Sequence, residues 1–221
     1  MNKVYEGPQD CPEIIPVFPL ARVLLLPRGQ MPLNIFEPRY LAMVDFALGG
    51  DRVIGMIQPD NDADPESEAP KLARVGCAGR IVQFAETGDG RYLVSLVGVA
   101  RFAIVDELST TTPFRQCRVT FEPYAADFRA RAGEGEVDRV GVLEALQAFA
   151  KATGLKIDWK GIEEASNEAL VNALSMMSPF GQREKQALLE APDLKTRAEM
   201  LIAITEMELT KSQAGPDTLL Q

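Results

Sequence analysis

One change of hydrophobic period, near residues 125–135, constrains this chain more than any other feature. Before it, apolar residues come in short runs closed by Pro or Gly, the pattern of strands and turns. Ile14 to Phe18 and Val23 to Leu26 are each closed by a proline, and Pro27-Arg28-Gly29 turns the chain into a third run, Met31 to Phe36. After it, apolar residues recur at helical spacing: Val137, Val140, Leu143, Leu146 and Phe149, then Leu170, Ala173, Leu174 and Met177. This order of elements predicts an α+β chain, with a β-rich first half and an all-helical second half.

Details within each half follow from local chemistry. Pro38 opens a helix whose face carries Leu41, Val44 and Leu48, because proline's missing N–H is tolerated in the first turn; Gly49-Gly50 stops it. Strands are expected over Val53 to Ile57, Val75 to Ala85, Arg91 to Val99 and Arg101 to Val105, with Gly88-Asp89-Gly90 as a hairpin turn. Between Arg115 and Tyr124, Cys117, Val119 and Phe121 alternate with polar residues, which predicts a strand with one dry and one wet face. In the second half, Ser166 caps a helix Asn167 to Met177, Pro179 precedes a short helix Gln182 to Glu190, and Asp193 caps Leu194 to Leu209. The domain boundaries expected from this reading are 1–125, 126–211 and a frayed tail at 212–221.

Composition excludes several kinds of chemistry. The chain of 221 residues has a net charge of −9, which disfavours nucleic acid and anionic membrane surfaces as partners. It holds three dispersed cysteines, Cys11, Cys77 and Cys117, and no histidine, so neither a Cys/His zinc site nor a thiol–imidazole pair is expected. No apolar run reaches the roughly 18 residues of a membrane span, and the first thirteen residues lack the apolar core of a signal peptide. A cytoplasmic location is expected. Asp60, Asp62 and Asp64 begin like a calcium loop, but Pro65 and Lys71 stand where an EF-hand needs Gly and Glu; loop 58–71 reads instead as a solvated acidic segment. Glu163, Glu164, Glu37 and Arg39 are too common as surface charges to mark acid–base chemistry. Lys211 and Ser212 sit in a polar stretch with nothing to orient them as a dyad. No metal or cofactor is expected.

Three segments carry a family resemblance. Val17-Phe18-Pro19-Leu20 with Leu33-Asn34-Ile35-Phe36-Glu37-Pro38-Arg39-Tyr40 resembles the opening signature of the Lon protease N-terminal, substrate-binding domain. Gly79 to Phe84, Gly88 to Val94 and Gly98-Val99-Ala100-Arg101-Phe102 resemble the family's glycine hairpin and its Gly-x-x-Arg corner. Gln182 to Glu190 and Asp193 to Arg197 are similar to its helical part. The resemblance implies a twisted antiparallel PUA-like pseudo-barrel with one helix, followed by a helical bundle. It also implies a stand-alone, non-catalytic module that binds unfolded or degron-bearing polypeptides, or alternatively an adaptor for a folded protein. No Gly-x-x-x-x-Gly-Lys-Ser/Thr occurs, so no phosphate loop for ATP is present in this sequence.

Adaptable apolar side chains are the candidate peptide contacts, Leu24, Leu26 and Met31 around the Pro27–Gly29 turn and Met177 and Phe180 around Pro179, against the commoner role of such residues as packed core. Phe36, Glu37, Pro38, Arg39 and Tyr40 are expected to form a structural corner between strand and helix.

Overall fold

A computed structural model describes residues 3–62, 69–154 and 159–213. Six strands form one sheet: β1 (Ile14–Pro19), β2 (Gln30–Ile35), β3 (Val53–Pro59), β4 (Leu72–Glu86), β5 (Tyr92–Glu107) and β6 (Arg115–Thr120). The strand order is β2-β5-β4-β3-β1-β6, and a further β5–β6 pairing closes β5, β4, β3, β1 and β6 into a ring. Pairing is antiparallel except between β1 and β3, where Val17 lies beside Gly55 in a parallel register. The sheet is therefore mixed, not antiparallel throughout. The intervening β2 and helix α1 (Pro38–Gly49) supply the long crossover that a parallel pair needs.

The ring closes over a core of Ile15, Val17, Val53, Ile57, Ala78, Ala100, Phe102, Cys117, Val119 and Phe121. Cys117, Val119 and Phe121 do form the dry face of their segment, but β6 stops at Thr120. Glu122–Phe128 is a kinked 3₁₀ segment with Pro123 in its first turn. The two strands expected over 91–105 are one continuous strand, bulged opposite Ala78/Gly79.

The chain divides into two compact units, Met1–Ala130 with Pro179–Leu189, and Arg131–Ser178 with Glu190–Gln221. Helix α5 (Gln182–Glu190) thus groups mostly with the sheet, although its sequence sits among helices. Three glutamines explain why. Buried Gln58 donates to the Gln182 carbonyl (3.2 Å) and to Gln186 Oε1 (3.0 Å), and Gln186 donates onward to the Val75 carbonyl (3.1 Å).

The second unit contains α2 (Arg139–Thr153), α3 (Trp159–Glu164), α4 (Asn167–Met177) and α6 (Leu194–Gln213). Asp138 caps α2 by accepting from Gly141 N–H, and Gly154 ends it in the left-handed region at φ 68°. Because α2 begins only after Asp138, its inward face is Val142, Leu146 and Ala150, and Val140 of the expected stripe faces solvent. In α4 the buried residues are Leu170, Val171, Asn172 and Ser175, while Ala173 is exposed. Arg139 joins three of these pieces, donating to the carbonyls of Ile162 (2.7 Å) and Ala165 (2.9 Å) and to Asn167 Oδ1 (2.8 Å). Helix α6 runs four residues past Leu209, through Ser212 to Gln213. The rest of the expected tail, 214–221, lies outside the described residues, as do Asp64, Pro65, Glu66 and Glu68 of the acidic loop.

Candidate functional site

The expected apolar contacts separate cleanly by burial. Leu24, Leu26, Met31 and Phe180 are 2%, 0%, 8% and 3% exposed, so they are core and not surface. The turn that carries the first three packs onto β5, where Arg28 N–H donates to the Gly98 carbonyl (2.7 Å) and Gly98 N–H donates to Gly29 (2.9 Å). A side chain at Gly98 would collide with the Leu26 carbonyl, which is why this close approach needs glycine. Met177 alone of the five is open to solvent, at 82%.

The corner residues have structural partners. Arg39 Nε donates to Glu37 Oε2 (2.9 Å), and its guanidinium lies over the Tyr40 ring. Tyr40 is buried against Phe18 with ring centroids 4.3 Å apart. Pro38 occupies the first turn of α1, and the Glu37 carbonyl accepts from both Tyr40 and Leu41 N–H. Phe36 is exposed, with the Arg91 guanidinium over its ring.

Chemistry-bearing side chains elsewhere are tied into the structure. Arg101, the arginine of the Gly-x-x-Arg corner, is buried and forks onto Asp127: Nε and Nη2 each donate to the carboxylate at 2.8 Å. Asp127 also accepts from Arg101 N–H (3.0 Å), and Arg101 Nη1 donates to the Leu189 carbonyl (3.1 Å). Burial opposes the Arg101 charge, yet the Asp127 hydrogen bonds and charge outweigh it and raise its pKa. Burial pushes the Cys11 thiol up to about 12 and the Cys117 thiol up to about 11, so neither is a thiolate near neutral pH. Glu163 and Glu164 are exposed on α3.

Two concave surfaces of the sheet unit stand out among the described residues. A cleft of about 640 Å³ is lined by Pro19, Arg39, Tyr40, Pro59, Pro70, Phe114 and Arg115. Its guanidiniums are already engaged, Arg39 by Glu37 and Arg115 by both oxygens of Glu107 at 2.6 Å, and its two aromatics are buried.

The other is a groove of about 550 Å³ on a three-stranded ribbon, and it has a different character. The outer parts of β4 and β5 extend past the ring to the Gly88/Gly90 turn, where both glycines have positive φ. Strand β2 pairs only with this outer part of β5. Register places Pro32, Ser95 and Gln83 side by side in one row and Asn34, Leu93 and Ala85 in the next. These residues point away from the core, because their neighbours Met31, Ile35, Val94 and Leu96 are buried. Leu93 is 49% exposed, and Val82, expelled at the bulge between Ile81 and Gln83, is 51% exposed. No lining residue is charged. Sequence reading missed this face because its residues alternate like any solvated strand. The available signal was Val82 and Leu93 beside a glycine turn, more apolar than an ordinary wet face.

The comparisons with known proteins agree with this architecture. The ATP-dependent protease La (LON) substrate-binding domain matches over residues 14–206. Lon protease 2 of Myxococcus xanthus is 26% identical over 205 residues, covering 89% of this chain and 24% of that protein. Lon protease 2 of Sorangium cellulosum is 28% identical, covering 91% and 26%. The chain thus spans about a quarter of the length of these curated relatives. A Lon N-terminal domain protein from Xanthomonas campestris superposes with a TM-score of 0.61 at 21% identity, over 86% of this chain and 97% of that one. The N-terminal domain of Mycobacterium avium complex Lon protease superposes at 0.63 with 19% identity, over 87% and 98%. Among the described residues no helix is long and apolar enough to cross a membrane. The chain belongs to the family of ATP-dependent protease La (LON) substrate-binding domains.

Proposed function

We propose that this protein is a non-catalytic module that binds unfolded or degron-bearing polypeptides in cytoplasmic protein quality control, and that the outer face of the β2–β5–β4 ribbon receives them. The observation that carries this reading is an uncharged groove with half-exposed Leu93 at its centre, in a chain of the substrate-binding family. The arginine cleft suits a client less well, since its charges are satisfied internally.

The outer edge of β2 bears on how a segment lies there. Strand β2 has one unpaired edge among the described strands, and Pro32 sits in its middle without an N–H to donate. Proline on an edge strand hinders addition of another strand. A client therefore lies across the face of the ribbon instead of extending the sheet. A groove of this size covers only a few residues, and ordering a flexible client offsets much of the apolar gain, so affinities of roughly 10–100 μM per site are expected.

The test is titration with a panel of unfolded polypeptides, using wild type and Leu93→Asp. Because residue 93 faces solvent, the substitution leaves the fold intact by circular dichroism, and it weakens binding at least about tenfold by placing a charge against apolar client groups. Equal affinity of the two proteins rejects the ribbon as the site. A single folded partner recovered in fixed stoichiometry would favour the adaptor instead.

A further inference from the structure

We infer that Asn34 and Gln83 read the main chain of the client, so that the ribbon selects uncharged extended segments by their backbone amides and not by a particular side chain. This deepens the reading just proposed and rests on it. Asn34, Gln83 and Ser95 are the polar groups on the groove floor, and their side chains have no hydrogen-bond partner among the described residues. A primary amide offers two donors and an acceptor, the complement of a peptide N–H and C=O. Such groups are solvated in the free protein and need protein partners once a client displaces that water.

Placement suits this role. Asn34 stands on β2 beside Leu93, and Gln83 stands on β4 beside Ser95, one row on. Two strand spacings and two residues separate them, on the order of 12 Å along the face. An extended chain covers that distance in about four residues. Leu93 and Ala85 lie in the row with Asn34, so apolar client side chains pack beside the amide contacts. With no charged residue in the lining, a charged client side chain loses water and gains no counter-ion. Pro32 strengthens the assignment, because an edge unable to donate at its centre leaves side-chain amides as the route to the client's main chain.

The experiment is a cycle between protein and peptide. The probe is an uncharged decapeptide of alternating Leu and Ser, capped at both ends, and the same peptide N-methylated at alternate residues. Binding is measured by isothermal titration to wild type, to Asn34→Leu/Gln83→Leu and to Leu93→Asp. The double variant is expected to bind the unmethylated peptide about tenfold more weakly, the effect of losing two neutral hydrogen bonds. Methylation should weaken wild type by a similar factor and change the double variant less than about twofold. If Leu93→Asp abolishes binding while the double variant keeps wild-type affinity and full sensitivity to methylation, the ribbon remains the site and backbone reading by the amides is wrong. If Leu93→Asp has no effect, or the peptide binds neither protein, both readings fall. An added Lys or Glu at the peptide's centre should weaken binding to wild type by about tenfold or more; equal affinity would overturn the selection for uncharged segments.

Discussion

Replacing Asp127 by Ala tests the buried ion pair between Arg101 and Asp127 in the sheet unit. The carboxylate holds Arg101 through Nε and Nη2 at 2.8 Å and accepts the Arg101 backbone N–H at 3.0 Å. The two side chains are 4% and 8% exposed, so water cannot take the place of the lost oxygens without opening the fold. Breaking one side of a buried ion pair typically costs about 3–5 kcal/mol, because the remaining charge keeps its desolvation penalty. The same desolvation penalty limits the net value of the pair: Arg101→Met with Asp127→Leu should lie within about 2 kcal/mol of wild type. Urea unfolding followed by far-UV circular dichroism gives the overall loss. Amide exchange then locates it, with β5, the 122–128 segment and the end of α5 opening first, since Leu189 also accepts from Arg101. Trp159, the chain's one tryptophan, belongs to the helical unit, so its fluorescence separates loss of the sheet unit from loss of both. A loss below about 1 kcal/mol for Asp127→Ala would refute the claim that this contact holds the corner.

Two further perturbations address different forces. Gly98→Ala should destabilise by roughly 2 kcal/mol or more, since the new methyl meets the Leu26 backbone and not a movable side chain; a change under about 0.5 kcal/mol in urea midpoint analysis would contradict that contact. Lys185 is 3% exposed, and burial lowers its pKa from 10.5 to about 8. The unfolded chain then binds more protons between those values, so this group makes stability rise as pH increases through about 8 towards 10.5. The raised Cys11 and Cys117 thiols work in the opposite direction above about pH 9, so the comparison is cleanest as wild type against Lys185→Met from pH 7 to 9. Wild type should gain stability relative to the variant as pH rises from 7 to 9; a constant difference would rule out titration of Lys185.

Local chemistry was legible where one residue type decides the backbone. Pro38 marks the first turn of α1, Ser166 accepts from Ala169 N–H, Asp193 accepts from Thr196 N–H, and Gly154 ends α2. Apolar periodicity also separated strands from helices. It failed where tertiary partners decide the outcome. Leu24, Leu26 and Met31 look like an adaptable turn, but the Gly98 contact folds them inward. Phe180 and α5 look like members of the helical half, but Gln58, 124 residues before Gln182, ties the helix to the sheet. Arg101 carried a family signature without a role, because its partner Asp127 lies in the stretch where the hydrophobic period changes and nothing local marks it.

The ribbon face was illegible for a related reason, and that reason bears on how it works. A strand with a wet face and one with a binding face have the same period of two, and only the identity of the outward residues separates them. Here β2 is recruited to β5 by Met31, Ile35, Val94 and Leu96 on the inner side, which fixes the register of Asn34 and Pro32 on the outer side. A one-residue slip would bury Asn34 and expose Met31 and Ile35, so the inner packing protects the outer arrangement. An exposed apolar ribbon with a free edge is an aggregation hazard, and Pro32 in β2, the Val82 bulge and the charged residues Glu86, Asp89 and Arg91 near the tip counter it. These devices block strand addition at the rim and leave the face open. The proposed role in receiving flexible clients needs that combination, because an open edge beside such a face would otherwise invite a second ribbon.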